Sequence, residues 1–498
     1  MKKYLRKPRL TLVIFSVLII AVFLGQAVFA ASDEDNINLL YMEKFFEFVR
    51  DQYEGGLSDS KMVDGAVRGI LNSLDDYTTY YTKEEKEAFL DSVSGIFGGI
   101  GITMEVSGDY IVVSKVLPAT PAERAGILQG DKIVEADGVN LVGMAAEKAA
   151  YLIRGDVGTV VKIGVLRNES KEIKYFEITR EVIKVNPVTY EIRNGIGYIK
   201  LEQFNENTDE YMTKALEAMD RNRITKIILD LRDNPGGSVA QATALAQKFV
   251  PKGIITKLDF RSESYDDIEY YSHLEKPKYE LAVLVNGMTA SASEIVAGAI
   301  QDTGAGKLVG TKTFGKARFQ SLIPVLSRDA FFKYINEGIL AVNAYDLQSR
   351  GIMPLEEDIA GYAKLTLGVY YTPKGRMIDG QGLTPDIVAE DPKPMHDVNI
   401  NSIQKLTKTV EHGLNGQGID VYNAEKILRF SGYNITAVDN TLDIDTVEAL
   451  KYFQRKSGLN VNGILDKQTQ DALNAELDRL IAKYDMQYAA AVEVLTNR

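Results

Sequence analysis

The run Leu281-Ala282-Val283-Leu284-Val285 carries neither charge nor polar side chain. It predicts a buried strand, and a chain holding such a strand must build a core around it. A turn follows at Asn286-Gly287, then the small-residue run Thr289-Ala290-Ser291-Ala292-Ser293. Beyond it Ile295, Ala299 and Ile300 recur at helical spacing. A strand, a tight turn and a helix with a hydroxyl at the junction display a nucleophile beside free helix N–H groups. A second strand, residues 307–310, ends in the loop Thr313-Phe314-Gly315-Lys316. Ser291 and Lys316 are therefore the candidate reactive groups.

A serine hydroxyl is a poor nucleophile until a neighbouring base takes its proton. Lysine can be that base only when neutral, so burial must bring its pKa from about 10.4 towards about 7–8. Three units correspond to roughly 4 kcal/mol of bias against the charge, which a desolvated site can supply. The runs TASASEIVAGAIQD and VGTKTFGKARFQ resemble the signature of the carboxyl-terminal processing peptidases. The resemblance implies that Ser291 is the nucleophile and Lys316, 25 residues on, the general base. It also implies that Gln320, one helical turn later, positions the lysine. Where the family usually has glycine after the lysine, this chain has Ala317.

The chain has 498 residues, 45% hydrophobic and 25% charged, material for about three domains. Without cysteine there are no disulfides, thiolate nucleophiles or cysteine–zinc sites. His273, His396 and His412 are far apart and form no HExxH pair, so each reads as a loop histidine. Residues 1–30 read as a signal peptide or N-terminal anchor: a basic start (Lys2, Lys3, Arg6, Lys7, Arg9), an apolar run and Val28-Phe29-Ala30 as a cleavage site. Either form puts the rest of the chain outside the cytoplasm. Removing those five charges takes the formal net charge from −12 to −17. So acidic a chain is a poor nucleic-acid binder.

Residues 31–93 read as helices, with Leu40, Phe45, Phe48 and Val49 on one apolar face. The family resemblance implies dimer contacts here, hence a homodimer. Residues 94–181, with TPAERAG followed by GDKI, resemble a PDZ domain. Gly99-Ile100-Gly101-Ile102 would then be the carboxylate-binding loop, where glycines let backbone N–H groups converge on a peptide terminus. A dinucleotide fingerprint fails because a strand, not a helix, follows these glycines.

The same family resemblance implies that residues 182–390 form an α/β protease core of the crotonase-like, tail-specific protease type. The strand at residues 227–232 runs into Asp233-Asn234-Pro235-Gly236-Gly237 and a helix start. Its glycines offer backbone N–H groups to an oxyanion, with Gly236 or Gly237 acting beside the amide of Ala292. Residues 327–361 are an insertion relative to shorter family members and read as a lid, a substrate-groove element or a surface excursion, the lid being favoured by its place beside Lys316 and Gln320 in the sequence. Residues 391–418 read as a linker and 483–498 as a tail. Between them, 419–482 resembles a three-helix peptidoglycan-binding domain, with Phe453-Gln454, Gly463 and Asp466 where that pattern expects them. Asp445 with Glu448 reads as the capping start of its second helix, and Asp466 as the start of its third.

The expectation is thus a multidomain α+β, exported serine endopeptidase. It would cleave protein or peptide substrates near their free C-termini, with the tail sensed by the PDZ domain and the enzyme tethered to the cell wall. A serine acyl-enzyme needs neither metal nor organic cofactor. Two other readings remain at this stage: a catalytically silent wall-bound PDZ peptide receptor, and an acyl-CoA enzyme on a related sheet architecture.

Overall fold

The computed structural model of the protein describes residues 37–56, 58–167, 172–408 and 410–497. The targeting segment expected over 1–30 lies outside the described residues. No described helix is long and apolar enough to cross a membrane. The described residues divide into two compact units, one of those up to residue 80 with 322–365, the other of those from 81 to 321 and from 366 on.

In the first unit a helix covers residues 37–52 and leaves Leu40, Phe45 and Phe48 exposed, so the expected apolar face is not a core face. The 327–361 insertion is ordered rather than an open loop. Helices Arg328–Asn336 and Ala344–Gln348 are N-capped by Ser327 and Asn343. They pack Ala330, Tyr334, Ala344 and Leu347 against Leu326 and Ile359. The Tyr334 hydroxyl donates to Asp358 (2.9 Å) within this small core.

The second unit holds the PDZ part, the catalytic sheet and the C-terminal module. The PDZ sheet runs in the order 102–107, 110–116, 132–136, 160–166, 173–179, with Val139–Asn140 paired to Lys132–Ala136. Its apolar positions, among them Ile111, Val113, Ile133, Val161 and Ile163, close on helix Ala146–Ile153. Among the described residues, strand Ile102–Ser107 pairs only with Tyr110–Val116. Its other edge is a site where an extended peptide could add a strand.

The catalytic sheet has the order 188–193, 196–201, 226–230, 280–285, 306–310, 387–388. The first pair is antiparallel and the others parallel. Parallel sheets are covered on both faces, and the apolar runs 227–229 and 281–285 here show why. Ile227, Leu229, Leu281, Val283 and Val285 pack on one face against helices Thr208–Arg221, Val239–Ala246 and Ala292–Thr303. Ile228, Ala282, Leu284 and Val309 pack on the other, and their cover is the C-terminal module.

That cover changes the reading of two segments. Val398, Ile400, Ile403 and Leu406, in the stretch expected as a linker, are buried in this second core. The expected tail forms helix Met486–Thr496, which puts Tyr488, Ala491 and Leu495 into the same core. Within the module the helices are Ile419–Phe430, Ile444–Lys456 and Lys467–Tyr484. The second helix is capped by Asp443, which accepts from Thr446 N (2.7 Å), and not by Asp445. The third starts at Asp466, which accepts from Thr469 N (2.8 Å).

Glu425 is fully buried in this module and accepts from Asp439 N (3.1 Å), Asn440 N (3.0 Å) and Thr446 Oγ1 (3.1 Å). Burial outweighs these bonds and pushes its carboxyl up to about 8. A carboxyl raised in the folded state stabilises fully below its unfolded pKa, and that stability is lost as pH rises towards about 8. Glu425→Gln keeps an acceptor for the two amides and a donor for the threonine. It is expected to raise the melting temperature at pH 9 and to change it little at pH 4, read by thermal unfolding at the two pH values.

Candidate active site

Ser291 stands between strand Glu280–Val285 and helix Ala292–Thr303, with φ 57° and ψ −120°. A residue with a side chain in that region is strained by about 1–3 kcal/mol and persists only where its surroundings over-determine it. Here they do. Thr289 Oγ1 donates to Leu231 O (2.8 Å) and accepts from Asn286 N (2.9 Å). Ala290 N (3.1 Å) and Ser293 Oγ (3.0 Å) both donate to Asn234 O, tying this turn to the 233–237 loop. A Cβ on Gly236 would stand 2.8 Å from Ser291 Cβ and 2.9 Å from Ala292 N, so glycine is required for the approach.

The two expected oxyanion glycines differ in role. Gly236 N already donates to Asn234 Oδ1 (2.9 Å). Gly237 N and Ala292 N have no hydrogen-bond acceptor among the described residues. Gly237 is held by the flanking bonds Phe204 N to Gly236 O (2.9 Å) and Ser238 N to Phe204 O (2.8 Å).

Ser291 and Lys316 are connected through two buried side chains that the sequence reading missed. Glu294 accepts from Ser291 N (3.0 Å), Lys316 N (2.9 Å), Gly315 N (2.8 Å) and Thr313 Oγ1 (2.5 Å). One carboxylate thus ties the nucleophile turn to the lysine loop. Burial pushes the Glu294 carboxyl upward, opposed by those four donors. The Tyr370 hydroxyl lies 2.9 Å from Ser291 O and 2.8 Å from Lys316 O and can donate to either. Burial, with Glu294 and Asp379 nearby, raises that phenol well above its ordinary value, so it stays a donor. A carboxylate at the third position of a helix start otherwise made of small residues was the available signal for Glu294. Tyr370 had none, since its contacts are 79 and 54 residues away.

Ala317 fits where glycine was expected: it is fully buried, it is not among the positive-φ residues, and its N–H donates to Asp379 Oδ1 (3.1 Å). Gln320 is not one helical turn past the lysine. It lies in strand Arg318–Leu326, its amide donating to Arg318 O (3.2 Å) and Thr366 Oγ1 (3.1 Å).

In the PDZ part Gly101 has φ 85°, and a Cβ there would stand 2.3 Å from Thr120 Cβ. Thr120 Oγ1 donates to Leu117 O (2.6 Å), and Leu117 N donates to Gly101 O (2.9 Å), fixing the loop. Ile100 is a core residue, and Ile102 packs against that core. Gly99 is buried in strand Ile96–Gly99, which pairs with Glu181–Lys184. Among the described residues no cluster of three or more His, Asp or Glu side chains could hold a metal.

Comparison with known proteins agrees with this organisation. The model of peptidase family S41 matches residues 195–389, a PDZ domain model 98–175, and a putative peptidoglycan-binding domain model 417–473. The carboxy-terminal processing protease CtpA of Bacillus subtilis is 32% identical over 457 residues, covering 91% of this chain and 89% of that protein. A carboxy-terminal-processing protease of Bartonella bacilliformis is 34% identical over 358 residues, 70% of this chain and 74% of its own. The solved photosystem II D1 C-terminal processing protease aligns at 24% identity with a TM-score of 0.39, over 70% of this chain and 86% of that one. The chain belongs to the carboxy-terminal processing proteases of peptidase family S41. It joins the protease to a PDZ domain and a peptidoglycan-binding domain, which with its relatives points to the cell envelope.

Glu294→Gln turns an amide donor towards groups that are themselves donors, leaving one unpaired in the core at a cost of roughly 1–3 kcal/mol. Loosening the two loops is expected to lower kcat about a hundredfold. Tyr370→Phe, which removes one donor, is expected to cost about tenfold. Steady-state cleavage beside far-ultraviolet circular dichroism checks both.

Proposed function

We propose that this protein is an exported endopeptidase working through a Ser291–Lys316 dyad on substrates with free C-termini. The observation that carries the reading is the strained Ser291 at a helix start, tied by Glu294 to the backbone of Lys316. Neutral Lys316 Nζ takes the proton from Ser291 Oγ as the oxygen attacks the scissile carbonyl carbon. The oxyanion is held by the N–H groups of Gly237 and Ala292. Lys316 returns the proton to the leaving amine as the C–N bond breaks. Lys316 Nζ, neutral again, then takes a proton from water as that oxygen attacks the ester carbon, and returns it to Ser291 Oγ as the acyl–oxygen bond breaks. Gln320 stays in this reading as a residue that helps position the lysine.

The PDZ loop, residues Gly99 to Ile102, receives the substrate's terminal carboxylate, and the free edge of strand Ile102–Ser107 takes its last residues as an added strand. The C-terminal module binds peptidoglycan. The basic and apolar start of the chain supports export. The exposed Leu40, Phe45 and Phe48 support a homodimer through the N-terminal region.

Cleavage of an unfolded protein with an apolar C-terminus tests the dyad. Wild type is expected to cleave, whereas Ser291→Ala and Lys316→Ala lose at least about a thousandfold in kcat. Activity should rise with pH as the lysine loses its proton. Cleavage that survives both substitutions, or a flat pH–rate profile, would overturn the assignment.

A further inference from the structure

The strand that precedes the oxyanion turn ends at Asp230, and Arg232 follows at the base of the loop. Arg232 is almost fully buried. On one side its Nε and Nη2 donate to the Asp230 carboxylate (2.6 to 3.1 Å), which also accepts from Tyr198 OH (2.6 Å). On the other side its Nη1 reaches a carboxylate 253 residues away, Asp485, at 3.0 and 2.9 Å, and Gln487 Oε1 at 3.1 Å. The Asn401 amide, with its oxygen towards Arg232 and its nitrogen towards Asp485, adds contacts of 3.2 Å to each. Asp485 and Gln487 stand where helices Lys467–Tyr484 and Met486–Thr496 of the C-terminal module meet. Asp485 is fixed in turn by Tyr488 N (2.9 Å) and Gln487 by Ala389 O (3.1 Å) and Asp391 Oδ1 (2.8 Å). Burial works against the guanidinium's charge, and Asp230 with Asp485 more than offsets it, holding Arg232 well above its ordinary value.

Arg232 is two residues before Asn234, the residue that orients Gly236 and is joined through its carbonyl to Ala290 and Ser293. A shift of the guanidinium is therefore passed to both sides of the oxyanion hole. We propose that Asp485 is a positioning residue for peptide cleavage: through Arg232 it fixes the 230–237 turn that presents Gly237 N. The C-terminal module thereby completes the catalytic core in addition to any tethering. The inference rests on the Ser291–Lys316 reading and extends it.

The test uses the full chain and a peptide substrate with an apolar C-terminus. Asp485→Asn keeps a good N-cap and nearly the same shape but removes the charge facing Arg232. It is expected to lower kcat at least about tenfold with KM within about twofold. Binding of a peptide boronic acid, whose oxygen occupies the oxyanion hole, should weaken by the same factor, while affinity for the product peptide stays unchanged. Asp485→Glu should recover part of the loss. Leu495→Ala, buried in the same docking face without a polar contact to Arg232, is expected to lower the melting temperature and leave kcat per folded molecule intact. Gln487→Leu, which removes one acceptor from Arg232 and leaves Asp485 in place, is the milder variant. It should reduce kcat a few-fold at constant KM if Asp485→Asn does not fold. An unchanged kcat in Asp485→Asn, or in Gln487→Leu where only that variant folds, would overturn the proposal. So would a Leu495→Ala loss as large as that of the polar variants, since the module's role would then be support alone. Cleavage surviving Ser291→Ala would overturn the dyad reading instead.

Discussion

Strand Glu280–Val285 has to be buried on both faces, because none of Leu281 to Val285 can face water without loss. Fully burying each large side chain of that run is worth about 1.5–3 kcal/mol. One face is covered by three helices of the catalytic core and the other by the C-terminal module. Parallel strands also gather their carboxyl ends on one edge of the sheet, where α/β folds build their sites. The turns after Asp230, Val285 and Gly310 therefore meet there. They carry the Gly236-Gly237 pair, Ser291 and Lys316 respectively. The packing requirement of one strand thus places all three parts of the site.

Positioning in this site is carried largely by backbone. Glu294 takes four donors, three of them main-chain amides, and Tyr370 reaches two carbonyls. Binding main chain fixes where a residue begins while leaving its side chain able to respond to substrate. The strained φ of Ser291 costs about 1–3 kcal/mol and is tolerated because these bonds, with those of Thr289 and Asn234, leave the turn no relaxed alternative. Low-dielectric surroundings make every one of these bonds stronger and every unmade one more damaging.

The same argument applies to Arg232. A buried ion pair contributes little net stability over an apolar replacement, but removing one partner leaves a charge that costs about 3–5 kcal/mol. Arg232 with Asp230, Asp485 and Gln487 is therefore a specificity device more than a source of stability. It accepts one docking of the module, with Asp485 in reach, and penalises any other. The apolar contacts of Tyr488, Ala491 and Leu495 supply the adhesion, and the polar cluster sets the register.

Much of this was legible from residues alone. The charge-free strand, the hydroxyl at its helix junction, the glycine loops of the PDZ part and the Asp466 cap all follow from local spacing and turn chemistry, which are properties of a few consecutive residues. The places where sequence and structure part share another character. Gln320 stands in a strand because residues 318–326 find partners in a sheet. Val398 to Leu406 and Met486–Thr496 are core because an exposed sheet face elsewhere needs them, although their own composition suggests linker and tail. Glu294, Tyr370 and Asp485 matter through partners up to 253 residues away. The sequence by itself determined the central strand, its helix junction, the local turns and the candidate reactive groups. Only the tertiary structure decided which buried polar groups hold them together, because satisfying a buried donor or acceptor depends on what the folded chain brings beside it.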